Sequence, residues 1–170
     1  MNGSDNVIGA ENQQERLMSD DYLAGFTDGE GTFYIGFGYR KDLPLKWQII
    51  TEFHVSQNPG GIKVLEYFRK VLGCGYLKPN HAKNPKDKSW ILIVKDRKDL
   101  ENKVLPFFRK HQLHTSKLED FKKFCKVLEF IKSKKHLTIK GFKKIAELIL
   151  KDENKDHRRY SKSFIFNHLI

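Results

Sequence analysis

Two acidic residues, Asp28 and Glu30, close a short segment that is rich in small residues. The segment follows Ser19 and Asp20, which are both good helix N-caps, so we expect Glu30 at the carboxyl end of a helix. An acid there faces the negative end of the helix dipole, at a cost of roughly 0.3 to 1 kcal/mol. A bound divalent cation would reverse that balance, because carboxylates are preferred ligands of hard cations. The two acids therefore predict a metal site.

Small residues in the same segment predict a close contact between two helices. Gly25 and Gly29 are four positions apart, so they share a helix face. Each costs about 1 kcal/mol relative to alanine, and the close approach of a second helix backbone would offset that cost. The predicted interface consists of Ala24, Gly25, Asp28 and Gly29. It would bring two copies of Glu30 together at the axis of a dimer, with metal between them.

The rest of the chain alternates between strand and helix patterns. After Gly31, which should end the helix, apolar and polar residues alternate strictly over residues 32–40, as in a half-buried strand. A second strand is predicted over 47–56. The later elements are a helix over 62–72, strands over 75–79 and 89–95, and helices over 100–104, 116–131 and 138–150. The order α-β-β-α-β-β followed by helices indicates an α+β domain with one antiparallel sheet.

The formal net charge of +11 favours polyanionic partners, but charge alone does not choose between DNA and RNA. No apolar run approaches the roughly 20 residues that a membrane span needs, so we expect no membrane partner. Residues 1–18 are read as a mobile leader, and residues 19–170 as a single domain. The two cysteines, Cys74 and Cys125, are too few for a structural zinc site.

The segment from Leu23 to Gly31 resembles the LAGLIDADG motif of homing endonucleases. The positions identical to the motif are Leu23, Ala24, Gly25, Asp28 and Gly31. The order of elements also matches the αββαββα fold of that family, with additional C-terminal helices. Further similar stretches include residues 53–57, 106–108 and 136–138, so the resemblance extends over about residues 20–155. It implies a single-motif, homodimeric, metal-dependent nuclease that cuts both strands of a long, pseudo-palindromic DNA site.

The resemblance also implies roles for individual residues. Glu30 matches the acid that bridges divalent metal and the scissile phosphate, and the Gly29 carbonyl matches a supplementary metal ligand. Gln57 matches a polar residue that positions solvent. Lys117 resembles the basic residue that acts on the water network, although Lys122 or Lys110 could take that place. The implied metal is Mg²⁺, with Mn²⁺ or Ca²⁺ as substitutes.

The sheet face turned away from the helices is expected to lie in the major groove of DNA, where each base pair shows a distinct pattern of donors and acceptors. The predicted DNA-binding residues are Tyr34, Gly36, Gly38, Arg40, Gln48, Ile50, Glu52, His54, Lys78, Asn80, Ser89 and Ile91, with Ile93 beside them. Gly36 and Gly38 would let the DNA approach the backbone. The residues expected to hold phosphates are Lys41, Lys83, Lys86, Lys88, Arg158 and Arg159.

Two other functions share this fold. A maturase would bind intron RNA, and a non-cleaving protein would bind DNA without hydrolysing it. The presence of both Glu30 and Gln57 favours the nuclease, because neither alternative needs them. The expected location is intracellular, in an organelle or in a prokaryotic cytoplasm.

Overall fold

The computed structural model describes residues 18–81, 83, 84, 86–150 and 159–169. The predicted mobile leader, apart from Met18, lies outside these residues. Within them, none of the helices combines the length and apolar character that crossing a membrane requires.

The order of helices and strands is the predicted one, and the α+β prediction is confirmed. The described helices are α1 (Asp20–Glu30), α2 (Ile62–Leu72), α3 (Arg97–Asp99), α4 (Leu105–Lys110), α5 (Lys117–Lys132), α6 (Ile139–Ile149) and α7 (Lys162–Asn167). The strands are β1 (Gly31–Tyr39), β2 (Trp47–Gln57), β3 (Tyr76–Pro79) and β4 (Trp90–Val94). A π-helical turn, Leu100–Val104, joins α3 to α4, and 3-10 turns cover Pro59–Gly61 and Lys135–Leu137.

Helix α1 passes into β1 without a connecting loop. Ser19 caps the start of the helix, since its hydroxyl accepts a hydrogen bond from the Tyr22 N–H at 3.1 Å. Gly31 ends the helix as predicted, but its φ of −82° is ordinary for any residue. A Cβ at Gly31 would instead overlap the Thr27 methyl group and lie 2.7 Å from the Thr27 carbonyl oxygen. Glycine is therefore needed for close packing at this turn.

The strands form one antiparallel sheet in the order β1-β2-β4-β3. The register pairs Gly31 with Val55 and Tyr39 with Trp47, so the start of β1 lies beside the end of β2. Of the residues of β2, those from 53 to 57 pair with β4. Because directly opposed residues of antiparallel strands project to the same face, this register assigns every strand residue to one of two faces.

Phenylalanine side chains fill the space between the sheet and the helices. Phe33 and Phe53 have their ring centroids 5.2 Å apart, and each lies 5.2 Å from Phe108. Helix α5 adds Phe121 and Phe124, at 5.2 and 5.5 Å from Phe33. Phe33 of β1 and Phe53 of β2 therefore lie at the centre of the core.

In α5, Phe124 and Val127 are fully buried and Cys125 is half-buried. The C-terminal helices depart from the prediction in one way, because helix α7 was not predicted. Its residue Phe164 packs edge-on against Trp47 at 6.3 Å, and the Trp47 indole N–H donates to the His168 carbonyl at 3.0 Å. The chain after α6 thus docks on the first residue of β2.

Replacing Phe53 by alanine is expected to lower the free energy of unfolding by about 3 to 5 kcal/mol, because the fully buried ring leaves a cavity among its neighbours. Urea denaturation followed by circular dichroism measures the change. Phe164→Ala removes the same atoms from a side chain that is 42% exposed, and should cost less than half as much. Equal losses for the two variants would contradict this picture of the core.

Candidate active site

Glu30 and Gln57 lie at the same end of the sheet. Glu30 is the last residue of α1 and is exposed. The next residue, Gly31, pairs with Val55, which is two positions before Gln57 in β2. The Gln57 side-chain oxygen accepts a hydrogen bond from the Asn58 N–H at 2.7 Å. The sheet register therefore brings together a carboxylate and an amide that are far apart in sequence.

Lys117 reaches this end of the sheet through helix α5, of which it is the first residue. The loop before it is fastened to α1 by Asp28. That carboxylate accepts hydrogen bonds from the N–H groups of His114 and Thr115 at 2.9 and 3.1 Å and from the Thr115 hydroxyl at 2.9 Å. Asp28 was predicted near the interface between two helices, and its carboxylate binds within its own chain. Its place at such an interface stays a prediction.

Glu30 and Gly29 offer the oxygen ligands that a hard cation prefers. The Glu30 carboxylate has no hydrogen bond or ion pair with any described residue. The Gly29 carbonyl lies in the last turn of α1. Because the helix ends there, no helical N–H group four residues later donates a hydrogen bond to it. In the part of the chain that the structure describes, no three His, Cys, Asp or Glu side chains cluster to hold a metal ion. Water, substrate or a second chain would supply further ligands.

The glycine face of α1 is open to solvent. Gly25 and Gly29 are exposed, and a Cβ at either position would meet nothing within 4 Å. Ala24 was predicted on this face, but it is 2% exposed and packs in the core of its own chain. The structure corrects that assignment, because α1 turns Leu23 and Ala24 inward and the glycines outward.

The register places the predicted DNA-binding residues of the strands on one face of the sheet. Tyr34 pairs with Glu52, Gly36 with Ile50, Gly38 with Gln48, His54 with Ile93, and Lys78 with Ile91. Tyr34, Gln48 and Lys78 are exposed, and Gly38, Ile50, Glu52 and His54 are half-buried. This part of the face is accessible to a ligand.

Three residues on that face are covered, and their predicted exposure is wrong. Ile91 and Ile93 are 8% and 2% exposed, because β4 is an interior strand and side chains of β2 and β3 flank it on both sides. Gly36 is buried, and a Cβ there would overlap the Tyr34 hydroxyl. The Tyr34 ring thus covers the backbone that Gly36 was expected to offer to DNA.

Charged groups on the face are organised by ion pairs. Glu52 binds Lys95 at 2.8 Å and His54 at 2.7 Å, and its side chain is 15% exposed. Burial raises the pKa of Glu52, but the hydrogen bonds from Lys95 and His54 outweigh it and leave that pKa below its ordinary value. Burial lowers the pKa of His54, although Glu52 opposes that effect. His54 is therefore neutral at pH 7, and the Tyr34 ring stacks on it at 6.0 Å.

Arg40 is held by a neighbouring acid at the end of β1. Its Nε donates to Asp42 Oδ1 at 2.8 Å and its Nη2 donates to Asp42 Oδ2 at 2.6 Å. The hydrogen bond from Arg40 lowers the pKa of Asp42 to about 2. The remaining N–H groups of the exposed guanidinium stay available to a ligand.

Asn80 and Ser89 close the loop between β3 and β4. The Asn80 side-chain amide donates to the Ser89 hydroxyl at 3.2 Å, and that hydroxyl donates to Asp87 at 2.6 Å. Ser89 lies just before β4, in which it was predicted, and Asn80 lies just after β3. Among the residues expected to hold phosphates, Lys41, Lys83, Lys86, Lys88 and Arg159 are exposed, and Arg158 lies outside the described residues.

Some residues of the site were missed. Tyr76 is 45% exposed and pairs with Ile93, so it lies on the face that is predicted to bind DNA. The alternation that selected Lys78 could have found it. The His111 side chain, which is 12% exposed and contacts both Asp20 and Asp21, was not among the predicted residues. No sequence signal links residues that are 90 positions apart.

Comparison with known sequences places the same segments in a known family. A family model described as LAGLIDADG endonuclease matches residues 23–128. Probable intron-encoded endonuclease 2 of Neurospora crassa is 32% identical over 128 residues, which are 75% of this chain and 26% of that protein. DNA endonuclease I-CeuI of Chlamydomonas moewusii is 27% identical over 79% of this chain and 54% of its own length. The chain thus spans about a quarter to a half of these relatives.

Solved structures share the fold. The homing endonuclease I-TnaI superposes with a TM-score of 0.78 at 34% identity, over 90% of this chain and 99% of that one. I-SmaMI bound to an uncleaved DNA target in the presence of calcium ions gives a TM-score of 0.71 at 28% identity, over 76% of this chain and 43% of that one. The predicted αββαββα fold is confirmed.

Replacing Glu52 by glutamine is expected to lower the pKa of His54 further, because the variant loses the negative charge that favours the protonated ring. Nuclear magnetic resonance titration of the histidine ring measures the pKa directly. Asp42→Asn removes an exposed acid that is not among the groups acting on His54, and should leave the titration unchanged. A His54 pKa that rises in the Glu52 variant would contradict the assigned contact.

Proposed function

The chain belongs to the LAGLIDADG endonuclease family, and from that membership we propose that it is a site-specific DNA endonuclease that requires a divalent metal. The observation that carries the proposal is the exposed, unpartnered Glu30 carboxylate, held at the end of a sheet whose outer face is polar and accessible. The solved relative I-SmaMI binds DNA in the presence of calcium ions, which supports the same two partners for this chain.

In the proposed mechanism Glu30 and the Gly29 carbonyl would hold Mg²⁺, which supplies charge stabilisation at the scissile phosphate and activates water. Mn²⁺ or Ca²⁺ would fit the same oxygen ligands. Gln57, at the same end of the sheet, would orient the attacking water through its amide. Lys117 would carry positive charge to the water and phosphate from the start of α5. The sheet face would position the DNA, with Arg40 and Gln48 as direct readers of base edges.

We further propose that two copies of the chain act together. Each subunit contributes one unpartnered carboxylate, and the described residues contain no three-ligand cluster of their own. The open glycine face of α1 lies on the same helix as Glu30, so a twofold contact through Gly25 and Gly29 would bring two such carboxylates close. A symmetric pair binds a pseudo-palindromic site with one half-site per subunit. The intracellular location, in an organelle or a prokaryotic cytoplasm, stays a prediction.

Glu30→Gln is expected to reduce cleavage by roughly a thousandfold or more while leaving DNA binding in place, because the amide cannot hold the metal charge. The assay is cleavage of a randomised plasmid library with magnesium, followed by sequencing of the cut ends. Glu147→Gln changes an exposed acid on α6 in the same way and should cut like the wild type. Tight binding of DNA or intron RNA without any cutting by the wild type would favour the non-cleaving protein or the maturase.

Gly25→Leu is expected to give a folded monomer, because the new side chain has open space in its own chain but blocks the approach of a second helix. Sedimentation at micromolar concentration measures the association. Gly60→Leu is the matched control for the added side chain, since a Cβ at Gly60 also meets nothing within 4 Å and Gly60 is not part of α1. A wild type that stays monomeric with DNA bound, or a Gly25→Leu variant that still dimerises, would exclude the proposed contact.

A further inference from the structure

The loop that precedes α5 is fastened to α1 at both ends of that helix. At the start of α1, the His111 ring contacts Asp21 through Nδ1 at 2.6 Å and Asp20 through Nε2 at 3.3 Å. At the end of α1, Asp28 receives the backbone N–H groups of residues 114 and 115. A helix rises roughly 1.5 Å per residue, so the two attachment points at Asp21 and Asp28 are about 10 Å apart. A loop that is held at both points cannot shift along the helix.

Thr115 extends the second attachment to Lys117. The Thr115 hydroxyl donates to Asp28 Oδ1 at 2.9 Å and lies 3.4 Å from the Asp28 carbonyl oxygen. The same hydroxyl oxygen accepts the backbone N–H of Lys117 at 3.2 Å. A continuous chain of hydrogen bonds therefore runs from the Asp28 carboxylate, through one hydroxyl, to the first residue of α5.

The Asp28 carboxylate is committed to this chain. Its Oδ2 accepts the His114 N–H, and its Oδ1 accepts both the N–H and the hydroxyl of Thr115. The carboxylate therefore has little capacity left to bind a metal ion.

Asp28 and Glu30 belong to the same last turn of α1. The backbone of that turn is rigid, because Gly31 packs directly on Thr27 and continues into β1. The same rigid turn thus carries both Glu30, the proposed metal ligand, and Asp28, whose carboxylate accepts the hydrogen bonds that fix the start of α5.

We propose that Asp28 and Thr115 are positioning residues that fix Lys117 relative to Glu30, so that the lysine acts on the water and the phosphate at the metal. The inference rests on the proposed endonuclease function. The two acids of the motif thus have different roles. Glu30 would hold the metal, and Asp28 would position Lys117. Misplacement of a catalytic group by about 1 Å can slow a reaction roughly a hundredfold, so such an anchor affects the rate of cleavage more than the affinity for DNA.

A double-mutant cycle with Lys117 tests the inference. Single-turnover cleavage with magnesium is measured for the wild type, Asp28→Asn, Lys117→Met and the double variant, together with the dissociation constant for the same DNA. Asp28→Asn should slow cleavage at least about tenfold and change the dissociation constant less than about threefold. In the Lys117→Met background the same substitution should slow cleavage less than about twofold, because the group that Asp28 positions is gone.

Thr115 provides an independent pair of variants. Thr115→Ser keeps the hydroxyl and should cleave like the wild type. Thr115→Val keeps the shape of the side chain but loses the hydroxyl that links Asp28 to Lys117, so its cleavage rate should match that of Asp28→Asn. Asp120→Asn, on the same helix as Lys117, serves as the control and should leave the rate unchanged. Thermal unfolding of each variant at the assay pH shows whether it is folded during the measurement.

The outcomes separate this inference from the function on which it rests. If the wild type cuts and the losses from Asp28→Asn and Lys117→Met multiply, Asp28 acts on the fold or on the metal and the inference is overturned alone. Equal activity of Thr115→Val and Thr115→Ser would also overturn it. A wild type that cuts no DNA would remove both the proposed function and this inference.

Discussion

The direct passage from α1 into β1 is the constraint on which the rest of the molecule depends. With no loop between them, the orientation of the helix is set by the strand, and the strand is set by its pairing with β2. The side chain of Thr27 occupies the space in which a larger residue than Gly31 would need its Cβ. Glu30 therefore projects at a defined end of the sheet, beside the last residues of β2, and no ion pair with another described residue holds it there.

The direct connection of α1 to β1 also links the position of the sheet to that of the C-terminal helices. Asp28, one turn of backbone away from the sheet, binds the loop that begins α5, and α5 packs its phenylalanines on β1. The segment from Asp28 to Gly31 thus fixes the positions of β1, of Glu30 and of the start of α5, where Lys117 lies. The glycine face of α1 stays open, because none of these contacts uses it.

Basic and acidic side chains bind each other on the sheet face and at its edge. Glu52 and Asp42 do not simply reduce the charge of the face, since each binds a basic side chain and restricts its orientation. A guanidinium or ammonium that is already oriented loses less side-chain entropy when it binds a ligand. The covered residues Gly36 and Ile93 show that this face has an apolar layer of its own under the polar side chains.

The sequence by itself determined the order of elements, the two faces of β1 and β2, and the end of α1 that carries Glu30. These follow from periodicity and from local backbone preferences, which act between residues close together in the chain. Only the tertiary structure decided that Ala24 is internal, that Ile91 is shielded as part of an interior strand, and that Asp28 binds Thr115. Those outcomes depend on which strands become neighbours and on hydrogen bonds between residues nearly 90 positions apart, and no local pattern records either.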